Sequence, residues 1–304
     1  MESEVSHKSY RPLTVLSFRL DASRAGSAPL ADKLHQSNVW LHGICSGFVG
    51  CLAFVSPFFK SCREEQENNN KKSKNKKSNK GKKNASKDES MARALGIIWS
   101  TLFFAIHSVH TEAVAGLVGR ADVLCGIVFS CSLILFYKDY FLGSIAFGLL
   151  ATLCKETGIT VLGYFLVCQI LPPPNSSRTN SSNRQSLYKS FILLAVGLLF
   201  GYLRLQLNGK NKLYQWTIME NHIALEPSLW KRLVSYAHSH ARYAMFLFVP
   251  WPLAFDHGFA ATTIRSIPSV ATVAMYSLVL SVAGISFVRR DWKILHCIAL
   301  AGLP

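Results

Sequence analysis

Apolar runs follow one another along this chain at residues 39–59, 93–107, 123–142, 144–154 with 157–171, 188–206 and 268–288, and another begins near 292. A hydrocarbon core takes roughly 20 helical residues to cross. Inside it every backbone N–H and C=O must find a partner within the protein, which leaves α-helices as the economical solution for runs of this length. The expected fold class is therefore all-α, a polytopic transmembrane helical protein. Several runs are short or interrupted, as happens where helices line a cavity instead of facing lipid.

Composition narrows the class further. Half of the residues are hydrophobic and 16% are charged, yet the net charge is +16. Ten lysines fall between Lys60 and Lys87, so a large part of the excess sits in one segment. Nucleic-acid binders spread their cations along a face or among aromatic residues, and a nucleic-acid partner is not expected here. The stretch Arg63 to Ser90 is almost without apolar residues and is expected to be disordered; the positive-inside rule puts it in the cytoplasm. The eight cysteines form no CxxC pair and read as small buried hydrophobes. The first residues, Met-Glu-Ser-Glu-Val-Ser-His, carry no signal peptide pattern.

Threading from a cytoplasmic lysine loop gives an expected organisation. Residues 1–37 form a luminal amphipathic segment, 38–60 a transmembrane helix and 61–92 the Lys-rich cytoplasmic loop. Residues 93–206 form transmembrane helices with luminal loops, 207–267 a luminal or interfacial region, and 268–304 further transmembrane helices that break off. On this threading His107–Asp122 and Lys155-Glu156 are luminal, and the sequons at Asn84, Asn175 and Asn180 are cytoplasmic and unmodified. Trp230–Trp251 ends in an apolar stretch but contains Lys231, Arg232, His238, His240 and Arg242. Charges are costly at mid-bilayer, so it reads as an interfacial or re-entrant helix.

The chemistry concentrates in His107–Asp122, which holds two histidines, two carboxylates and an arginine at a membrane boundary. Glu112 and Asp122 are the candidate catalytic acids. His107, His110, Arg120 and Lys155 are the candidate contacts for a phosphate, with Glu156 and Asp256 as secondary candidates. Gly116 and Gly119 precede Arg120 and suit a sharp turn, beside which a guanidinium fork fits a phosphate oxygen. Lys155-Glu156 has a second reading, a self-neutralising pair between two short helices. His-x-x-His-x-Glu departs from the spacing of zinc helices, so no metal ligands are assigned, and dependence on a divalent ion is left open. The same cluster suits transfer of a group from a phosphate-bearing lipid, or a substrate site in a secondary transporter.

Four ordered blocks bear a resemblance. They are Ser6-His-Lys-Ser-Tyr-Arg-Pro-Leu-Thr-Val-Leu-Ser-Phe-Arg19; His107–Asp122 with its His-Thr-Glu-Ala-Val-Ala-Gly and Gly-Arg-Ala-Asp cores; Cys154-Lys-Glu-Thr-Gly-Ile-Thr160; and Glu220-Asn-His-Ile-Ala through Phe255-Asp-His-Gly258. The chain resembles the TMTC proteins, the transmembrane O-mannosyltransferases that target cadherins. The resemblance implies a GT-C-like fold in the endoplasmic reticulum membrane with a luminal active site. It implies transfer of mannose from dolichyl-phosphate mannose, a lipid-linked donor, to Ser or Thr of luminal proteins, with membrane lipid as surroundings and no certain cofactor. Tetratricopeptide repeats are implied beyond the membrane part. Relative to the family, the chain reads as incomplete at both ends: it starts after a first spanning helix and an acidic luminal loop, and Ser108 stands where a proline is expected. A non-catalytic membrane adaptor is the alternative that follows from that reading.

Overall fold

The computed structural model describes residues 10–26, 29–56, 79–171, 180–207, 218–251 and 264–302. Among them every regular element is helical. The chain divides into two compact units, residues 1–208 with 299–304, and residues 209–298.

In the first unit α1 (Pro12–Arg24) is followed by α2 (Leu30–Val55) and α3 (Asn79–Ile106). A 3-10 turn at Ser108–His110 leads into the short α4 (Thr111–Ala115) and then α5 (Arg120–Tyr137). Next come α6 (Phe141–Cys154), a 3-10 turn at Glu156–Ile159, α7 (Thr160–Ile170) and α8 (Asn180–Leu207). The second unit holds α9 (Ile218–Asn221), α10 (Leu229–Phe246) and α11 (Val270–Val288); α12 spans Trp292–Gly302.

Four of the described helices are long and apolar enough to cross a membrane: α2, α5, the Arg184–Leu207 part of α8, and α11. Ala94–Ile106 with Ser108–Ala115, bent by 46°, adds a fifth when taken as one broken span. The helices α6 and α7 are shorter, and at 1.5 Å per residue α6 rises only about 21 Å. Leu187, Phe191 and Leu198 on α8 are each at least 70% exposed. A soluble protein rarely exposes such a surface, whereas lipid tails cover it.

Two expected boundaries move. The first long helix starts at Leu30, not near residue 38, because Leu-Ala-Asp-Lys-Leu-His-Gln-Ser continues the helical path into polar surroundings. Within the segment expected to lack structure, Asn79–Ser90 is helical and runs without a break into the apolar part of α3. Adding a residue to an existing helix costs far less than nucleating one, and Lys, Ala, Glu and Met are good helix formers. Residues 57–78 lie outside the described residues.

The core of the first unit is built where α5 to α8 meet. Leu133, Ile145, Val161, Leu162, Tyr164, Phe165 and Leu193 are buried together. Phe136 stacks on Phe165 at 4.2 Å, and the Tyr137 and Tyr164 hydroxyls share a hydrogen bond of 2.6 Å. The α5–α6 reversal is a tight helix stop: Asp139 takes φ 63, and the Tyr140 and Asp139 amides bond back to Leu135 O and Phe136 O. At the opposite end of α6, Gly158 is pressed against its last turns, where a Cβ would lie 2.5 Å from Thr152 N. That approach folds the 3-10 turn over α6 and puts Lys155 and Glu156 at the edge of the bundle.

In the second unit the segment before α11 is tied along α10. Trp230 Nε1 donates to Ser266 O at 2.9 Å, and the Arg265 amide donates to Ser235 Oγ at 3.0 Å. His238 Nδ1 lies 3.0 Å from Ser269 Oγ, which also caps α11 by accepting from Thr272 N. The described α10 is amphipathic and is not among the helices apolar enough to span.

Candidate functional site

The antiparallel run of helices brings the starts of α2, α5 and α7 and the ends of α3, α6 and α8 to one end of the first unit. Three ion-pair systems meet there. At its centre is Arg120, the first residue of α5, with 0% exposure. A cation at a helix N-terminus opposes the helix dipole, so it needs compensation. Its Nη1 donates to Asp21 Oδ2 at 2.6 Å, its Nε to Asn38 Oδ1 at 2.6 Å and its Nη2 to Leu34 O at 2.7 Å. The Phe18 ring covers the guanidinium at 4.3 Å. Asn38, also buried, donates at 3.3 Å to Val114 O and Gly116 O. Arg120 and Asn38 thus bind α1 and α2 to the loop that carries Glu112.

That loop turns tightly enough to require glycine at position 119, where a Cβ would lie 2.5 Å from Ala113 Cα. The turn delivers Asp122 in the first turn of α5, its side chain 48% exposed and ion-paired with Lys155. Glu156 lies between two arginines: Arg11 Nη2 reaches Oε2 at 2.8 Å and Arg204 Nη2 reaches Oε1 at 2.8 Å. Arg204 also bonds Thr152 O and Tyr10 O, at 2.8 and 3.1 Å. Burial opposes charge on Glu156, but the hydrogen bond from Arg11 and both guanidinium charges outweigh it and hold the carboxyl below its ordinary value. Thr14 Oγ1 donates to Cys154 O at 2.9 Å, fastening α1 to the end of α6 beside these pairs.

The histidines form a separate aromatic patch. His107 Nδ1 accepts from Val109 N at 3.2 Å and so caps the 3-10 turn, while its ring meets Phe103 edge-on at 5.1 Å. The His110 ring lies 4.2 Å from Phe104 and 5.4 Å from His42, whose Nε2 lies 3.1 Å from Ala105 O. Glu112, in the first turn of α4, is exposed and makes no ion pair among the described residues. A cleft of about 290 Å³ lies beside the Arg120 anchor, lined by Asp21, Arg24, Lys33, Gln36, Ser37 and Trp40.

The sequence candidates therefore divide. Asp122 and Lys155 are in contact, and Lys155 and Glu156 do not neutralise one another: each pairs elsewhere. Arg120 presents no open fork, because all three guanidinium nitrogens are engaged inside the protein. Asp256 falls outside the described residues. Among the described residues no three His, Cys, Asp or Glu side chains gather as metal ligands. Arg11, Asp21, Asn38 and Arg204 were not read as site residues. Arg11 lies in the first of the four resemblance blocks, and the other three share only a side of the membrane in the topology, which does not specify partners. Chemically, the end of the unit offers exposed carboxylates next to partly exposed cations, a set able to take up a proton and to hold an anion.

Comparison with known proteins bears on what that set is for. The chain is 32% identical to human protein O-mannosyl-transferase TMTC4 across 91% of its own length, and 30% identical to the mouse TMTC4 protein across 94%. It is 29% identical to Drosophila protein O-mannosyl-transferase Tmtc1 across 85%. The chain belongs to the TMTC family. It spans about two fifths of the length of the TMTC4 relatives, 39% and 40%. No family profile and no solved structure matches it.

Proposed function

We propose that this chain is the membrane part of a protein O-mannosyltransferase with a GT-C-like fold, resident in the endoplasmic reticulum membrane. It moves mannose from dolichyl-phosphate mannose to Ser or Thr hydroxyls of luminal proteins. The observation that carries the reading is the likeness, over most of this chain, to relatives named as protein O-mannosyl-transferases. The Asp122–Lys155 pair supports it, being a carboxylate and an ammonium side by side at a partly exposed helix end.

In this reaction the acceptor oxygen attacks the anomeric carbon, the bond from that carbon to the donor phosphate breaks, and the hydroxyl proton goes to a carboxylate. Dolichyl phosphate leaves with the electron pair. Glu112 and Asp122 are the carboxylates assigned to the proton. Lys155 is assigned to the phosphate; when it turns from Asp122 toward the donor, the Asp122 carboxylate is left free to accept a hydrogen bond from the acceptor hydroxyl. His107 and His110 are assigned to the same phosphate region. Arg120, whose nitrogens are committed to Asn38, Asp21 and Leu34, acts here as a positioning residue for the 107–122 loop.

The test is transfer of labelled mannose from dolichyl-phosphate mannose by membranes carrying the protein, compared with Glu112→Gln, Asp122→Asn and Lys155→Gln. Loss of the proton acceptor is expected to slow transfer by about 10²–10⁴-fold, the usual worth of a general base. Unchanged transfer in all three variants refutes the site; no transfer by the unaltered protein refutes the reaction.

A further inference from the structure

The second unit carries cations that the transfer site does not use. The Nε atoms of Arg232 on α10 and of Arg265 in the segment leading to α11 are both buried and have no hydrogen-bond partner among the described residues. Both arginines border Ser235: Arg232 lies one turn before it on α10, and the backbone amide of Arg265 is bonded to its hydroxyl. Neither makes an ion pair among the described residues. Lys231, their neighbour, does: it pairs with Glu226 at 3.7 Å. A buried guanidinium nitrogen without an acceptor is costly, and a negatively charged acceptor would offset that cost.

The position of the pair says which anion. Arg265 stands five residues ahead of Val270, where α11 begins, and α11 is one of the helices able to cross the membrane. The segment between them is fastened to α10 by Trp230, Ser235 and His238, and His240 Nδ1 bonds the Tyr276 hydroxyl at 2.8 Å within α11. α10 is therefore held at the end of a spanning helix, where lipid headgroups lie. Along α10, Leu229, Trp230, Leu233 and Tyr243 are more than half exposed, the apolar and aromatic surface of a helix lying in an interface.

We propose that Arg232 and Arg265 form a binding site for the headgroup phosphate of an anionic membrane lipid, which anchors α10 against the start of α11. A phosphodiester oxygen accepts from both guanidinium groups, and the lipid tails lie along the exposed apolar side chains of α10. His238 strengthens the electrostatic case: burial and the nearby Arg265 and Arg242 charges push its pKa down, a sign of concentrated positive charge. The site is independent of the mannosyl-transfer reading and stands or falls separately.

The test is retention of phosphatidylinositol against phosphatidylcholine by the purified full chain, read by native mass spectrometry from mixed micelles. The unaltered chain is expected to retain phosphatidylinositol preferentially. In Arg232→Gln with Arg265→Gln that preference should fall by about tenfold or more, as for loss of a charge-assisted contact, while Lys231→Gln leaves it unchanged. If the double variant does not insert, Arg265→Gln alone is expected to give a smaller loss in the same direction. Equal retention by the arginine variants overturns the proposal. So does displacement of the lipid by inorganic phosphate, which would make this a site for a soluble anion.

Discussion

Replacing Asn38 by alanine should loosen the end of the first unit more than any other single amide truncation near the site. The side chain is fully buried and bonds in three directions, to Arg120 Nε at 2.6 Å and to Val114 O and Gly116 O at 3.3 Å. Loss of the first contact strands a buried charged donor, which costs about 1.5–3 kcal/mol. The two longer bonds add about 0.5 kcal/mol each at the low end of the range for neutral hydrogen bonds. The total, about 3 kcal/mol, corresponds to a fall of roughly 6–12 °C in Tm for a unit of this size. Asn38→Asp keeps an acceptor for Arg120 and loses only the two amide donations, so it should fall between alanine and the native residue. The assay is thermal unfolding of the detergent-solubilised chain, with exposed Gln36→Ala as the comparison, expected within about 0.5 kcal/mol of native. An Asn38→Ala shift no larger than that of Gln36→Ala would refute the view that the Asn38–Arg120 anchor holds this end together.

Other outcomes follow from the same geometry. Gly158→Ala should destabilise by about 3 kcal/mol or abolish insertion, since the added Cβ meets backbone of Ala151 and Thr152, which cannot yield as a side chain does; a normal unfolding temperature would disprove the close approach. Glu156 has a depressed pKa in the fold, so its contribution is present above its ordinary value of 4.5 and is lost as pH falls through the lower folded value. Unfolding temperature should accordingly drop below about pH 4.5 and drop less in Glu156→Gln, a difference read from paired melts across that range. His238, with its pKa also pushed down, likewise favours its deprotonated form in the fold, here the neutral one, so its contribution is complete above its ordinary 6.5 and shrinks as pH falls below that. His238→Gln should flatten that part of the stability profile.

Much of the fold could be read from the spacing of apolar runs, because a bilayer leaves so few ways to satisfy a backbone. The site was legible as a neighbourhood and not as a set of contacts. Asp122 and Lys155 are 33 residues apart and Arg11 and Glu156 are 145 apart, so their partnership depends on helix packing that no local pattern encodes. Adjacency itself misled at Lys155-Glu156. Lys155 is extended, with φ −151 and ψ 148, and successive side chains on extended backbone point to opposite sides. One therefore reaches Asp122 while the other reaches Arg11 and Arg204. Arg120 misled for a related reason: glycines beside an arginine fit a phosphate turn, but here they let the loop close so that the guanidinium fills an internal socket.

The ion pairs at this end are unequal in a way that suits the proposed reaction. Among the described residues the ion pairs here set Arg11, Arg120, Lys155 and Arg204 against Asp21, Asp122 and Glu156. Arg11 and Arg204 both pair with Glu156, and Arg120 is sealed in, so of these four cations Lys155 has the most freedom to change partner. A phosphodiester-linked donor brings a single negative charge, which one ammonium can compensate. The leaving phosphomonoester carries about −1.5 to −2 at neutral pH. One mobile ammonium compensates the first well and the second incompletely, and it must then choose between the product and an Asp122 that has just gained a proton. In the proposed reaction, passing that proton on to solvent would let Lys155 return to Asp122 and so weaken the hold on the spent lipid. The same exchange that frees the base for attack thus favours release of the product afterwards.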